Sequence, residues 1–382
     1  MANYDYEIVN GRKIRVRPKE TVSEIDKNGY FRRQPHHFTT PFGDGENDLK
    51  AEGNKRYRLV WAKLCHWSNR AAIVRELEGL EDQISVNMVE HAPHEKNLGW
   101  EYVYNENNID PMLGDQFLSE AYYRADDDYQ GRTTVPALID TTTGKVVNND
   151  YNWLTTYFEV NFRPWHKKGA PELYPVELRE EIDKMNLWLF DNINNAVYRS
   201  SFSRSNEGHF DGVNTFYAAM DRLEKRLETN RFLFGDYVTD SDIRLYVTLA
   251  RLDIRYTAQL GETKRPLYTY KNLWGYAKEL WEIPAFAHHT DFAAIIRQGR
   301  IEGEEDGFRA STHYDLALPK IDWDAQWKVS TERAYLSSDP THPIYLGNNR
   351  RFYIDPTWYD LGAESPKKEE KETPPSCGCC CG

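Results

Sequence analysis

The pattern of hydrophobic and polar positions divides the chain into two halves with different periods. In the first half, the apolar run 59–62 leads into a predicted helix over 66–78, and Gly79 follows as a stop. Alternating hydrophobic and polar residues over 84–88 then predict a strand. This order indicates a β-α-β unit.

A second group of strands is predicted after a long insertion. The runs 133–139 and 146–147 flank a turn at 143–144, and a helix is expected from about Asp150. Pro136 lies inside the first run, where proline indicates an edge, a bulge or a cis bond that directs neighbouring backbone into a cleft. A β-α-β unit followed by a β-β-α unit is the layout of a thioredoxin-like domain.

From Pro175 onward, apolar residues recur every three or four positions, as is typical of amphipathic helices. Thr239 and Asp242 form a capping-box variant before the apolar stripe of a helix that we expect to be central and buried. The sequence therefore predicts an α/β domain followed by an all-α domain. The spaced apolar positions are Leu178, Ile182, Met185, Leu189, Ile193 and Val197, then Val213, Phe216, Met220, Leu223 and Leu227.

Changes in composition suggest the domain boundaries. Residues 1–55 are polar and rich in His, Pro and Gly, and we interpret them as an N-terminal extension. Residues 56–165 form the predicted thioredoxin-like domain and 170–300 the helical domain. An irregular aromatic stretch, 301–366, is a C-terminal extension, and 367–382 is a charged linker with a Cys-rich tail.

The charge balance argues against two classes of partner. The chain has 60 acidic and 48 basic residues, for a net charge of −12, which disfavours nucleic acid and anionic membranes. The N-terminus has no apolar signal segment, and no stretch approaches 18 uninterrupted apolar residues. We therefore expect a cytoplasmic protein.

Cys65 is the only cysteine among the first 376 residues, and it lies at the predicted start of a helix. Unpaired backbone N–H groups and the helix dipole favour a thiolate there, which is the nucleophilic form. Ser68 stands where a redox pair has its second cysteine, so the implied chemistry is monothiol, with the Ser68 hydroxyl able to donate to the sulfur. The alternative is that Cys65 is a small buried hydrophobic residue.

The tail offers a different chemistry. Its last six residues, CGCCCG, supply four soft ligands, of which two have CxxC spacing, so a metal- or redox-binding protein is an alternative function. The tail is equally consistent with an unstructured thiol reservoir or an attachment segment. These weak candidate metal ligands are Cys377, Cys379, Cys380 and Cys381.

A thioredoxin-like domain followed by a helical domain resembles the glutathione transferase superfamily. Over about 30–300, the motifs resemble more narrowly the glutathionyl-hydroquinone reductases, the Xi class. The resemblance implies thiol-dependent removal of glutathione from glutathionyl-hydroquinones without a metal, and a homodimer with an aromatic thioether and a thiol as small-molecule partners. The motifs are RYRLVWAKLCHWSNR, LGWEY, GRTTVPALIDTTTGKVVNND, RFLFGDYVTDSDIRLYVTLARLDIRY and YKNLWGYAKELWEIP.

The same resemblance suggests a thiol site. Cys65 matches the family's catalytic cysteine. Trp100, Arg132 and the backbone of Val135 match the site of the thiol co-substrate, glutathione, and Asp150 matches its acidic residue. An arginine suits a carboxylate, and an edge-like backbone suits a peptide such as glutathione.

Two tyrosines match residues that hold the hydroquinone. They are Tyr198 in NNAVY and Tyr256 in LDIRY, and their hydroxyls can hydrogen-bond to the ring oxygens and support proton transfer. The implied mechanism is attack of the Cys65 thiolate on the sulfur of the aryl thioether in its ketone tautomer. A second thiol then resolves the mixed disulfide.

The chain departs from the family pattern at three places. The family motif CPWAHR reads CHWSNR here, and a protonated His66 would further favour the thiolate. The family's Glu-Ser pair reads Asp150-Tyr151, and residues 298–300 stand where the family has a late tyrosine. A thiol transferase or disulfide oxidoreductase using another low-molecular-weight thiol is therefore an alternative, and so is a docking scaffold without activity.

Overall fold

The computed structural model describes six segments of the chain, and all structural statements below refer to them. Most of the predicted C-terminal extension, the charged linker and the four tail cysteines lie outside these residues, as do the side chains of 298–300. The described segments are 4–16, 23–91, 98–261, 265–301, 321–330 and 332–337.

The strands and helices follow the predicted change from mixed to helical structure. The strands are β1 (Tyr6–Val9), β2 (Arg12–Arg15), β3 (Tyr57–Trp61), β4 (Ile84–Met88), β5 (Glu90–His91), β6 (Trp100–Glu101), β7 (Ala137–Asp140) and β8 (Lys145–Asn148). The helices are α1 (His66–Leu77), α2 (Leu118–Ala125), α3 (Leu154–Val160), α4 (Arg179–Leu189), α5 (Ala196–Phe202), α6 (Asn206–Arg226), α7 (Asp240–Arg251), α8 (Thr257–Gln259), α9 (Lys271–Trp281), α10 (Pro284–His288), α11 (Phe292–Ile301) and α12 (Trp323–Trp327).

Four strands form a mixed sheet in the order β4-β3-β7-β8. β3 runs parallel to β4 and antiparallel to β7, and β7 runs antiparallel to β8. Leu59 on β3 lies opposite Leu138, and both pack with α1 and α3 on one face. Val60 and Ala137 point to the other face and pack with α2, because successive residues of a strand alternate between faces. This is the predicted thioredoxin-like arrangement.

The loop after β3 places Cys65 at the start of α1. β3 ends at Trp61, and Cys65 is the N-cap of α1 with φ −83° and ψ 117°. The peptide bond between Val135 and Pro136, immediately before β7, is cis. Both segments therefore meet at the same end of the sheet.

The second part of the chain is helical, as predicted, and every spaced apolar position named above is buried. All residues of α7 are buried, and the Asp242 carboxylate accepts hydrogen bonds from the Thr239 backbone and hydroxyl at 2.8 and 2.9 Å. Arg251, at the end of α7, has no exposed surface. Its guanidinium donates to the carbonyl oxygens of Lys63 and Leu64, just before Cys65.

Residues 23–38, which we call the N-terminal strap, link the two parts of the molecule. The Gly29 carbonyl accepts a hydrogen bond from the Arg204 backbone in the helical part. The Gln34 side chain donates to the Arg132 carbonyl and accepts from the Arg132 N–H, both at 2.9 Å. The strap therefore crosses over the region beside Cys65.

Among the described residues, no helix combines the length and the hydrophobicity that a membrane span requires.

Candidate active site

Cys65 opens onto a cavity of about 420 Å³ between the sheet and the helical part. Its side chain is 9% exposed, and its Sγ lies 3.7 Å from the Val135 carbonyl oxygen, toward which the thiol donates. The volume is that of a small-molecule site. Among the predicted site residues, the cavity wall contains Cys65, Trp100, Arg132, Val135 and Tyr198.

The Ser68 hydroxyl fixes the turn before α1. It accepts from the Ala62 N–H and donates to the Ala62 or Cys65 carbonyl, with distances of 3.1 to 3.3 Å. These backbone contacts replace the contact with the sulfur that the sequence suggested. Ser68 therefore shapes the loop that carries the cysteine.

Arg132 already holds a carboxylate from the strap. Its Nη2 lies 3.2 and 3.3 Å from the two carboxylate oxygens of Glu24. Burial raises the pKa of Glu24, but Arg132 and the Gln34 N–H outweigh this effect and leave the pKa below its ordinary value. Glu24 is therefore a carboxylate, bound where the resemblance suggests a carboxylate of the thiol.

Trp100 is buried on β6 beside this pair. Its Nε1 donates to the Thr133 carbonyl at 3.2 Å, and its ring stacks on His91 with 4.0 Å between the centroids. The indole therefore borders the cavity while its N–H is engaged by the backbone.

Asp150 and Tyr151 have different positions. Asp150 accepts from the Asn152 N–H at 2.9 Å, lies 3.6 Å from His36 Nε2, and is outside the cavity wall. Tyr151 is in the wall and packs on Trp67, with 4.4 Å between ring centroids. Burial raises the pKa of Tyr151 to about 12, so the phenol is protonated at neutral pH. A bulky ring therefore occupies the place of the family's serine.

The two predicted hydroquinone tyrosines lie side by side, but only Tyr198 reaches the cavity. Tyr256 is buried behind it, with 6.3 Å between the two ring centroids. Burial raises the pKa of Tyr198, and a negative charge on Cys65 adds to this shift. Burial also raises the pKa of Tyr256 well above its ordinary value. Both phenols are therefore protonated at neutral pH and able to donate.

His66 follows Cys65 and is 1% exposed. Burial lowers the pKa of His66 well below its ordinary value, and the positive charge of Arg251 lowers it further. The imidazole is therefore neutral, and the expectation that a protonated His66 favours the thiolate is wrong. Its Nδ1 lies 3.1 Å from the Tyr256 hydroxyl oxygen.

Several arginines at the site were missed by the sequence reasoning: Arg33, Arg204 and Arg255 line the cavity, and Arg251 lies behind the loop that carries Cys65. The Arg33 guanidinium, from the strap, stacks over the rings of Trp67 and Tyr198 at 4.7 and 4.6 Å. Arg251 holds the loop before Cys65. The sequence held a signal for Arg251, because a charged residue ends the apolar stripe of α7. It held none for Arg33, because the polar sequence of the strap does not indicate where the strap lies.

Within the described segments, no group of three or more His, Cys, Asp or Glu side chains is placed to hold a metal ion. The tail cysteines proposed as weak ligands lie outside those segments.

A thioredoxin-like sheet with a cysteine at a helix start, joined to a helical part, is the architecture of a glutathione transferase. The model of the family described as "Glutathione S-transferase, C-terminal domain" matches residues 197–279. Glutathione S-transferase omega-like 2 of Schizosaccharomyces pombe is 35% identical over 280 residues, covering 70% of this chain and 88% of that protein.

Two further proteins, one of them compared by both sequence and structure, indicate the class within this superfamily. Glutathionyl-hydroquinone reductase YqjG of Escherichia coli is 33% identical, covering 63% of this chain and 73% of that protein. Its glutathione-bound structure has a TM-score of 0.66 and 29% identity, covering 80% of this chain and 97% of that one. The glutathione S-transferase Xi of Phanerochaete chrysosporium has a TM-score of 0.65 and 33% identity, covering 71% and 88%. The chain belongs to the glutathionyl-hydroquinone reductase family, the Xi class of these glutathione-dependent enzymes.

Proposed function

We propose that the protein is a reductase that uses a thiol to remove glutathione, or a similar low-molecular-weight thiol, from glutathionyl-hydroquinones. One observation carries the proposal: the Cys65 sulfur and the Tyr198 phenol border the same cavity. A nucleophile for sulfur and a proton donor for the aromatic ring are the two groups that this reaction needs.

The first step consumes the thioether. A phenol delivers a proton to the ring carbon that carries sulfur, a ring hydroxyl gives one up, and the ketone tautomer results. The Cys65 thiolate then attacks the glutathione sulfur and forms an S–S bond, while the carbon–sulfur bond breaks. Its electron pair returns to the ring, one proton is taken up, and the free hydroquinone leaves.

The second step regenerates the enzyme. The thiolate of a second glutathione attacks the glutathione sulfur of the mixed disulfide, and Cys65 leaves as a thiolate. The sum is glutathionyl-hydroquinone plus glutathione giving hydroquinone plus glutathione disulfide, so one disulfide forms for each aryl thioether reduced. Monothiol chemistry suffices because the second thiol comes from solution.

The contacts support distinct roles around the cavity. Tyr198, kept protonated by burial, donates to the ring, and Tyr256 supports it from behind. Arg132 binds a carboxylate of the thiol once Glu24 gives way. Trp100 and the Val135 backbone border the peptide. We also propose that the protein is a homodimer, on the basis of the family resemblance. We propose the cytoplasmic location and the domain limits given above on the basis of composition.

The test is turnover combined with intact mass. A variant lacking residues 377–382 leaves Cys65 as its only cysteine. With a glutathionyl-hydroquinone alone, we expect one glutathione on Cys65 and one equivalent of hydroquinone, and with added glutathione we expect steady turnover. Cys65→Ser in the same background is the matched control, in which turnover falls at least about a thousandfold. Full hydroquinone release by Cys65→Ser would refute the mechanism.

A second candidate uses the same nucleophile with another low-molecular-weight thiol. Tyr151 fills the place of a small hydroxyl residue, and Glu24 occupies Arg132, so two contacts expected for glutathione are altered. Turnover with a panel of thiols, compared by kcat/KM, separates the two candidates. Preference for a thiol without glutathione's γ-glutamyl end would favour the second.

A further inference from the structure

Arg33 is a charged residue of the cavity wall to which the proposed reaction assigns no role. Its guanidinium carbon lies 4.7 Å from the Trp67 ring centroid and 4.6 Å from that of Tyr198. The ring centroids of Phe31 and Tyr151 lie 5.5 and 5.9 Å away. Because arginine stays protonated in proteins, the aromatic part of the cavity contains a permanent positive charge.

The protein fixes the position of this charge but does not neutralise it. The Arg33 Nε donates to Asn195 Oδ1 at 3.0 Å, and no other hydrogen bond joins its guanidinium to the described residues. Within the described segments, no carboxylate lies at ion-pair distance from it, and Glu24, an acidic residue of the cavity wall, is bound to Arg132. Arg33 is half-buried, and an unpaired charge at that depth costs free energy, which proteins tolerate chiefly at functional sites.

Two phenols of the protein report how this charge acts on an oxygen beside the cavity. Burial raises the pKa of Tyr151, and the positive charge of Arg33 is the largest effect that opposes the rise. Burial and a negative charge on Cys65 raise the pKa of Tyr198. Arg33 is again the largest opposing charge, ahead of Arg255. A substrate phenol bound beside these residues is stabilised as an anion by the same charge.

The proposed reaction generates such an anion. When the Cys65 thiolate forms the S–S bond, the electron pair of the breaking carbon–sulfur bond moves through the ring onto the oxygen of the ketone tautomer. The leaving group is the hydroquinone anion, and a less basic leaving group leaves faster. Negative charge therefore develops on a ring oxygen in the transition state, whereas the bound thioether is neutral there.

We propose that Arg33 is a catalytic residue that stabilises the negative charge developing on the hydroquinone oxygen while Cys65 takes the thiol. This rests on the proposed function. Arg33 gives up no proton, and the hydroquinone anion takes up one proton as it leaves. The charge is in place before the substrate binds, because the next residue, Gln34, exchanges two hydrogen bonds with the Arg132 backbone. A preorganised charge acts without reorganisation during the reaction.

Three variants separate the charge of Arg33 from its packing. Arg33→Lys keeps the charge, and Arg33→Met keeps an unbranched side chain without it. Arg32→Met is the matched control, because the Arg32 side chain is 64% exposed, pairs with Asp26 of the strap and lies outside the wall of this cavity.

The first measurement requires no turnover. The probe is a thioether of glutathione with para-nitrophenol, joined at the carbon next to the hydroxyl, and its absorption reports whether the phenol is ionised. It is titrated into the full chain carrying Cys65→Ser, at pH values on both sides of its ionisation. We expect the phenolate to bind about tenfold more tightly than the phenol, and Arg33→Met to abolish this preference. Arg33→Lys and Arg32→Met should keep it.

The second measurement is hydroquinone release in a single turnover of the full chain. The substrates are glutathionyl-hydroquinones whose ring substituents change the acidity of the released hydroquinone. Arg33→Met should slow release by about a hundredfold for the least acidic hydroquinone and by less for the more acidic ones, so that the rate depends more steeply on acidity. Arg33→Lys should recover the shallower dependence, and Arg32→Met should match the wild-type protein.

The outcomes separate this role from packing and from the proposed function. A phenolate preference that survives in Arg33→Met overturns the role. An equal loss of rate across the whole series also overturns it, because Arg33 would then only support the fold of the site, and so does a slope in Arg33→Lys as steep as in Arg33→Met. If the probe does not bind to Cys65→Ser, the cavity does not hold an aryl thioether of glutathione, and both proposals fail. Probe binding with the expected preference, but no hydroquinone release by the wild-type protein, refutes the reductase function and the catalytic role that rests on it, leaving Arg33 as an anion-binding residue.

Discussion

The two walls of the cavity are organised in opposite ways. On the thiol wall, formed by Trp100, Arg132 and Val135, the main polar groups are already engaged by the protein, since Glu24 occupies Arg132 and the Thr133 carbonyl occupies the Trp100 N–H. On the phenol wall, formed by Tyr198 with Tyr256 behind it, burial keeps both phenols protonated, and the Tyr256 hydroxyl oxygen lies 3.1 Å from Nδ1 of the buried His66.

This difference separates binding from chemistry. A thiol that binds must replace Glu24 on Arg132 with its own carboxylate. Its binding free energy is therefore the difference between two similar ion pairs. The phenols need no rearrangement, and a preorganised donor acts on the transition state without reorganisation at the moment of reaction. Changes on the thiol wall should therefore alter KM, and changes on the phenol wall should alter kcat.

The sharpest test of this division is Tyr198→Phe. Removing one hydroxyl should lower kcat for a glutathionyl-hydroquinone by about a hundredfold, the size of one general-acid contribution, and leave KM for glutathione within about twofold. Stopped-flow or steady-state assays of hydroquinone release measure both. The exposed Tyr268→Phe is the control. A rise in KM with unchanged kcat would contradict the division.

Arg251 connects the two walls, because its guanidinium extends from the helical part and donates to the loop before Cys65. Arg251→Met should destabilise the protein by about 3 kcal/mol, since the carbonyls of Lys63 and Leu64 lose their buried donors. Chemical denaturation followed by tryptophan fluorescence gives this value. The exposed Arg163→Met serves for comparison. Equal stability of the two variants would show that the loop does not depend on Arg251.

Arg132→Gln tests the thiol wall. KM for glutathione should rise about tenfold with little change in kcat, because the variant loses a charge-assisted contact made before and during the reaction. The same assay with varied thiol concentration provides the result. An unchanged KM would mean that the carboxylate of the thiol binds elsewhere.

Glu24→Gln should have the smallest effect, in the opposite direction. Arg132 is 39% exposed, and solvent weakens its pair with Glu24, so glutathione should bind only about two- to fivefold more tightly once the competitor is neutral. Isothermal titration calorimetry measures this change, with Glu46→Gln as a control. Weaker binding would show that Glu24 assists the thiol.

The sequence predicted the parts of the fold that depend on local pattern. Three features reflect the repeat of a strand or a helix. They are the alternation around Leu59 and Val60, the helix start at Cys65 and the apolar spacing of α4 and α7. These features are encoded within about ten neighbouring residues. For this reason the thioredoxin-like sheet and the helical part were both predicted and are confirmed.

The site was predicted less completely because its decisive contacts join distant residues. Glu24 and Arg132 are 108 positions apart, and His66 and Tyr256 are 190 positions apart. Periodicity carries no information about such pairs. The charge of His66 is set by the burial that these contacts create, so its neutral state followed only from the structure.

The contact between Glu24 and Arg132 has a consequence for the dose response of the enzyme. Because Glu24 and Arg132 belong to one molecule, neither dilution nor dialysis changes the effective concentration of Glu24 at Arg132. The apparent affinity for a thiol equals its intrinsic affinity multiplied by the fraction of molecules in which the pair is open. Substitutions of strap residues that do not line the cavity change that fraction without altering the cavity wall. They would shift the thiol concentration at half-saturation while leaving the reacting groups as they are.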